Sequence, residues 1–325
     1  MKAAITATAR YLPERILTNK ELEKIVNTND EWIRTRTGIT ERRLVAPGEA
    51  TAAMGTSAAR LLLERAGCSA DEIDVIIVAT VTPDMLFPST AALIQKNLGA
   101  TNAWGFDLSG ACTGFLFALE TGAKFVESGK YRKVIVIGAD TMSSILNFKD
   151  RNTCVLFGDG AGAVLLEPAT DGRGVLDAKL HLDGNGGQFL YMPAGGSLRP
   201  ASHETVDNDE HYVRQDGKAV FKVAAKGMAD VSLEILERNN FTGNDVKLFI
   251  PHQANKRIID VSAKRCGLRD DQVVINIGKY GNTTAATIPI GIDESVEQGR
   301  LETGDLLLLA AFGAGYTWGS MLIRW

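Results

Sequence analysis

Cys112 stands among small residues in the run Asp107-Leu108-Ser109-Gly110-Ala111-Cys112-Thr113-Gly114-Phe115, immediately before a segment patterned as a helix. Thiolate is the reactive form of cysteine, and a helix N-terminus favours it through unpaired N–H groups and the macrodipole. The placement therefore predicts a thiol with a lowered pKa, flanked by enough glycine and alanine to admit a long thin substrate. The same window also suits a buried structural cysteine, since free cysteine is among the most buried residue types. Two other residues have the right chemistry to work with a thiol. His252 lies just past an apolar run in Ile250-Pro251-His252-Gln253, and Asn282 lies in Gly281-Asn282-Thr283-Thr284-Ala285-Ala286. A thiolate attacks and leaves thioesters well, whereas an imidazole N–H and a carboxamide can stabilise a developing oxyanion or enolate. Each has a plainer reading, His252 as a loop histidine and Asn282 as a helix N-cap.

The elements needed to bring the three together are legible as apolar runs and helical patterns in alternation. Residues 74–80, rich in β-branched side chains, read as a buried strand. A helix follows from Ser89-Thr90 to near Gly99, another over 113–128 with Gly129 past its end, then a strand over 133–138. The second half repeats the plan. It has a strand at 246–250, a helix at about 255–266, a stretch at 273–276 matching the strand before Asp107, a helix from Gly281 to near Gly299, and a strand at 305–311. Cys112 follows Ile77 by 35 residues, and Asn282 follows Ile250 by 32. Two α/β halves, residues 1–172 and 173–325, are expected to pack sheet beside sheet. Cys112 and Asn282 would then lie near a shared pseudo-twofold axis, with His252 facing the same spot.

Composition narrows the classes. The 325 residues suit two packed halves, and 45% hydrophobic content supplies a large interior. Lys and Arg total 35 against 39 Asp and Glu, a net charge of −4 that argues against a nucleic-acid coat. Cys68, Cys112, Cys154 and Cys266 lie far apart with no metal-ligand spacing, which fits a reducing cytoplasm. The first residues lack the apolar core of a signal peptide. The uncharged stretch 306–323 is broken by Gly313, Gly315 and Gly319, so it reads as strand, turn, strand rather than a membrane span. Gly158-Asp159-Gly160-Ala161-Gly162 leads into an apolar strand and not a helix, which excludes a dinucleotide loop.

Three motifs carry a resemblance to a known family. Gly110-Ala111-Cys112-Thr113-Gly114-Phe115, Pro251-His252-Gln253-Ala254-Asn255 and Tyr280-Gly281-Asn282-Thr283-Thr284-Ala285 resemble the active-site motifs of β-ketoacyl-acyl-carrier-protein synthase III, the initiating condensing enzyme of type II fatty-acid synthesis. The likeness runs from Asn29-Asp30-Glu31-Trp32-Ile33 to Phe312-Gly313-Ala314-Gly315-Tyr316-Thr317-Trp318-Gly319. It implies a thiolase-like fold of two pseudo-symmetric halves in a layered αβαβα arrangement. It implies a decarboxylative Claisen condensation of a short acyl-CoA with malonyl-acyl carrier protein, through acyl-Cys112. Cys112, His252 and Asn282 would be catalytic, and the backbone N–H groups of Cys112 and Ala314 would form the oxyanion hole. Many relatives have glycine where this chain has Ala314.

Further roles follow from the same resemblance. Thr28, Trp32, Arg36, Arg151, Gly217, Phe221, Ala254 and Asn255 would bind CoA, with its adenine between Trp32 and Arg151. Lys218 departs from the asparagine usual there. Gln253, Ala254, Asn255, Lys256 and Arg257 would dock the carrier protein, on a helix that also carries Lys264 and Arg265. Phe87, reaching from a second copy, with Met142, Phe157, Leu190 and Phe312, would line the acyl pocket. A cytoplasmic homodimer is implied, with CoA thioester as substrate and no metal or redox cofactor, no nucleic acid and no membrane. Three other readings remain open from residues alone: a related condensing enzyme priming a polyketide or quinolone pathway, a thioesterase, and a non-catalytic carrier-binding protein.

Overall fold

The computed structural model describes residues 1–325. Strand β1 (Lys2–Tyr11) precedes a hairpin of β2 (Arg15–Thr18) and β3 (Glu41–Leu44), whose connection carries helices α1 (Asn19–Leu22) and α2 (Asp30–Thr37). Helix α3 (Thr51–Ala66), β4 (Val75–Ala79), α4 (Thr90–Leu98), β5 (Trp104–Leu108), α5 (Gly114–Glu127), β6 (Val134–Asp140) and β7 (Gly160–Ala169) complete the first half. Strand β8 (Gly174–Leu182) opens the second. A lobe follows with β9 (Leu190–Tyr191), α6 (His203–Asp207) and β10 (Arg214–Gln215). Then come α7 (Gly217–Arg238), β11 (Leu248–Pro251), α8 (Lys256–Arg265), α9 (Ile277–Tyr280), α10 (Thr287–Glu297), β12 (Leu306–Gly313) and β13 (Thr317–Arg324).

The first sheet runs β1-β7-β6-β4-β5 and the second β11-β12-β13-β8. β4 pairs parallel with β5 and β6, and β11 with β12, while β6 and β12 each have an antiparallel partner on the other side, β7 and β13. The second order is the first reversed, short of one strand. Residues 273–276, expected to match β5, make a single bridge from Val273 to Phe249. The Gln253 side chain accounts for the difference: its Oε1 accepts the N–H groups of Asn276 and Ile277, both at 3.1 Å, and turns the chain into α9.

Alternation along fully buried strands builds five layers. Val75 and Ile77 of β4 face a core shared with Phe115 and Leu119 of α5 and Ile288 and Ile292 of α10. Ile76 and Val78 face α3 and α4 on the other side. In β12, Leu307 and Leu309 join the central core, while Leu306, Leu308 and Phe312 face α7 and α8. Strands covered on both faces must be apolar throughout, which is why 74–80 and 305–311 are so legible. The result is α3/α4, sheet, α5/α10, sheet, α7/α8. No helix is long and apolar enough to cross a membrane.

Candidate active site

The chain leaves β5 through Gly110, where a side chain would approach the Gly114 Cα to 2.9 Å and the Phe117 ring to 3.0 Å. Ala111 then adopts φ +48°, a left-handed conformation sparsely populated outside glycine. Cys112 is the middle residue of the 3-10 turn Ala111–Thr113 that feeds α5. Its counterpart in the other half is the turn Thr284–Ala286 before α10, where Thr284 has φ +53°. The residue equivalent to Cys112 is thus Ala285, which lies 35 residues after Ile250 just as Cys112 lies 35 after Ile77. Asn282 stands ahead of that turn rather than at the matching place.

Asn282 is held by backbone from the first half. Its N–H donates to the Leu156 carbonyl at 2.9 Å, and its carbonyl accepts the Gly158 N–H at 3.0 Å. Its side-chain Oδ1 accepts the Thr284 N–H at 2.9 Å, which leaves the amide N–H2 for the cavity and the sulfur. His252 follows β11 and donates its backbone N–H to the Ala310 carbonyl at 2.7 Å. Its Nδ1 lies 2.7 Å from the Thr287 hydroxyl, and its buried Nε2 has no protein partner.

Cys112, His252 and Asn282 all line one cavity of about 540 Å³. Burial pushes the His252 pKa down to about 3, so the ring is neutral. Burial, reinforced by the Asp140 carboxylate, pushes the Cys112 thiol up to about 12, and the hydrogen bond from Asn282 opposes this. The lowered thiol pKa expected from the helix N-terminus is therefore corrected: the turn does open a helix, but burial raises the pKa of the thiol. Gly313, packed so closely that a side chain there would lie 2.8 Å from the Cys112 nitrogen, also lines the cavity. The neighbouring Ala314 does not. Hydrogen bonds of the turns and loops use neither the Cys112 nor the Ala314 N–H.

Trp32, Arg36, Arg151, Gly217, Phe221, Ala254 and Asn255 line the same cavity. The guanidinium carbons of Arg36 and Arg151 sit 5.1 and 5.2 Å from the Trp32 ring centroid. The Arg151 guanidinium rests directly on the Trp32 face, without the gap that a base between them would need. Thr28 is not in the wall, although its buried hydroxyl has no partner. Asn255 caps α8, and its Nδ2 donates to the Arg36 carbonyl at 3.0 Å.

Gln253 cannot meet a carrier protein. It is 1% exposed, and besides its two acceptor contacts its Nε2 donates to the carbonyls of Pro251 and Val274. Lys256 is exposed but ion-paired with Asp260, whereas Arg257 lies over the Phe221 ring at the cavity wall. The α7 lysines Lys218, Lys222 and Lys226 are exposed beside α8; their spacing of four could have marked Lys222 and Lys226 in the sequence.

Phe157, Leu190 and Phe312 line the cavity as expected, but Met142 packs behind Phe157 with Leu146 and Val213. Phe87 is 84% exposed, beside Leu86 at 83%, and is absent from its own chain's cavity.

Two halves of one topology, with a cavity lined from both halves by Cys112, His252 and Asn282, place the chain among the thiolase-fold condensing enzymes. Family models bear this out: 3-Oxoacyl-[acyl-carrier-protein (ACP)] synthase III matches residues 106–184, and its C-terminal model matches residues 236–325. A β-ketoacyl-[acyl-carrier-protein] synthase III from Chlorobaculum tepidum is 60% identical over 328 residues, covering 100% of both chains. The crystal structure of 3-oxoacyl-[acyl-carrier-protein] synthase III from Aquifex aeolicus superposes with a TM-score of 0.92 at 44% identity, over 99% of this chain and 100% of that one. The priming β-ketosynthase of the R1128 polyketide pathway gives 0.92 at 36% identity, over 99% and 95%. The chain belongs to the β-ketoacyl-[acyl-carrier-protein] synthase III family.

Proposed function

We propose that the chain condenses a short acyl-CoA with malonyl-acyl carrier protein, giving 3-oxoacyl-acyl carrier protein, CO2 and CoA, and so initiates fatty-acid synthesis. The observation that carries this reading is the convergence of Cys112, a neutral His252 with a free Nε2 and the free amide of Asn282 on one cavity. Full-length relatives named β-ketoacyl-[acyl-carrier-protein] synthase III at 54–60% identity favour fatty-acid initiation over a secondary pathway.

In the first half-reaction the Cys112 sulfur attacks the thioester carbonyl. The new S–C bond forms as the C–S bond to CoA breaks, and the departing CoA thiolate takes the proton that Cys112 gives up. The transient oxyanion is assigned to the N–H groups of Cys112, in the cavity wall, and of Ala314, the residue directly after Gly313 of that wall. In the second, malonyl-carrier protein loses CO2, and the electron pair of the broken C–C bond moves onto the thioester oxygen as an enolate. Neutral His252, donating from Nε2, and Asn282, donating from its amide, stabilise that oxygen without any strong base. The enolate carbon attacks acyl-Cys112 and expels the thiolate, which is reprotonated, so one proton is taken up overall.

CoA enters past Trp32, Arg36, Arg151, Gly217, Phe221, Ala254 and Asn255, with Thr28 near its phosphates. The carrier protein, acidic as such proteins are, docks on the basic faces of α7 and α8 through Lys218, Lys222, Lys226, Lys256, Arg257 and Lys264. We also propose a homodimer: β5 is a sheet edge with Trp104 and Gly105 exposed, and the exposed Phe87 would enter the partner's acyl pocket beside Phe157, Leu190 and Phe312. Four free cysteines support a cytoplasmic setting, and residues 1–172 and 173–325 are the two halves.

Intact-mass measurement after mixing the protein with several acyl-CoAs tests the reading. One acyl group should appear on wild-type protein and none on Cys112→Ala, and malonyl-carrier protein should discharge it into a 3-oxoacyl product. Discharge to free acid alone would make the chain a thioesterase.

A further inference from the structure

We infer that Thr317 is a positioning residue for the oxyanion hole. It rests on the acyl-Cys112 reading given above. Both proposed donors are backbone N–H groups, so what must be fixed is the orientation of two peptides from opposite halves of the molecule. Cys112 follows β5 in the first half, and Ala314 follows β12 in the second. A single hydroxyl pins both.

Thr317 opens β13 and is buried. Its Oγ1 lies 3.1 Å from the Gly110 carbonyl oxygen and 3.0 Å from that of Ala314. One hydroxyl proton is therefore shared between two carbonyls that come from the two turns bearing the donors. The tie is returned: the buried Thr113 hydroxyl donates to the Thr317 carbonyl at 3.2 Å. Gly313 fits into the same gap, where a side chain would meet the Cys112 and Thr113 nitrogens and the Thr317 oxygen at 2.8, 3.1 and 3.1 Å.

Pinning the Gly110 carbonyl fixes the plane of the peptide entering Ala111, and the left-handed Ala111 then sets the direction of the Cys112 N–H. Pinning the Ala314 carbonyl fixes the peptide that follows its N–H. Losing the hydroxyl removes the tie between the two turns: the Gly110 carbonyl, which also accepts the Thr113 N–H at 3.1 Å, keeps one bond of two, and the Ala314 carbonyl loses its bond to Thr317, whereas the thiol and the cavity around it keep their packing. An oxyanion hole acts through donors held in place before charge develops, so loosened donors lose their advantage although both remain present.

The test compares two reactions of the same sulfur in the full-length protein. Acylation by acetyl-CoA passes through a tetrahedral oxyanion; alkylation by iodoacetamide displaces iodide at carbon and forms none. Thr317→Val should acylate at least tenfold more slowly than wild type, in keeping with the roughly 10²–10³-fold typical of losing a donor outright, and should alkylate within about twofold of it. Thr317→Ser keeps the hydroxyl and should acylate and alkylate at close to the wild-type rates. Equal acylation by wild type and Thr317→Val overturns the proposal, and so does a matched fall in both reactions, which would mean that the thiol itself had changed. Thr317→Ala serves if the valine variant does not fold. Failure of both to fold would make the hydroxyl a determinant of the fold, and the proposal falls. If wild-type protein takes no acyl group on Cys112, the parent reading fails instead, a result read independently of any Thr317 variant.

Discussion

Phe157 and Asn282 form an isolated parallel bridge, with the Asn282 backbone bonded on one side to Leu156 and on the other to Gly158. The wall of the proposed acyl pocket and the amide proposed to hold the enolate are thus a single rigid piece, although they belong to different halves. The segment before it is anchored by buried Arg42, whose guanidinium donates to the carbonyls of Leu17 and Val155 and to the Asn19 side chain.

His252→Ala and Asn282→Ala should keep substantial acylation of Cys112 and lose malonyl decarboxylation by about 10²-fold or more, because each removes a donor used when the enolate forms. Radiolabelled acyl-CoA and labelled CO2 release separate the two half-reactions. Equal loss of both in each variant would dismantle the division of roles.

The pKa of His252, pushed down to about 3, has a sign that can be checked. Between about pH 6.5 and 3 the unfolded chain binds a proton at this residue and the folded chain does not. Stability should therefore fall as pH drops through that window, with a contribution of about 1.4 kcal/mol per pH unit from this group. Denaturant midpoints for wild type and His252→Gln between pH 7 and 5 measure it; parallel curves would show that the ring is not held neutral. Decarboxylation itself should be flat from pH 6 to 8.

With its thiol pushed up to about 12, resting Cys112 is protonated at neutral pH. Alkylation by iodoacetamide should rise about tenfold per pH unit from pH 7 to 9. A plateau near neutrality would restore the thiolate expected from the helix N-terminus.

Lys222→Glu and Lys264→Glu should raise the KM for malonyl-carrier protein several-fold at low salt while self-acylation from acyl-CoA stays unchanged, since surface charge governs encounter with an acidic partner. Steady-state kinetics with and without added salt would show it, and unaltered KM values would move the docking site elsewhere.

Phe87→Ala should let longer acyl-CoAs compete in the intact-mass assay, by about 1–3 kcal/mol per methylene accommodated. An unchanged acyl profile would leave Phe87 without a place in the pocket.

Much of this was readable in the chain. Cys112, His252 and Asn282 stand in motifs whose residue types are chemically constrained, and β4 and β12 are apolar because both their faces are covered. What the sequence hid depends on side-chain direction. Gln253 sits in a motif, yet nothing in its type tells that its amide is used up inside. Met142 and Phe157 are equally apolar, and only packing decides which meets the cavity. Residues 273–276 are β-branched enough for a strand, but the backbone donors that would extend the ladder are taken by Gln253. The opposing pulls of burial and dipole on Cys112 are magnitudes, and residue order carries no magnitudes. Thr317 reaches the Gly110 carbonyl 207 residues away, beyond any local pattern.

The guanidinium of Arg151 rests against the Trp32 indole where a nucleotide base would go. A thioester delivered on a carrier protein has a phosphopantetheine arm with no adenine, so it can reach the sulfur with that stack undisturbed. On the proposed entry path, the adenine of CoA has to part the indole from the guanidinium. The doorway thus treats its two visitors unequally, and quenching of Trp32 fluorescence should register the arrival of the first substrate and stay silent for the second.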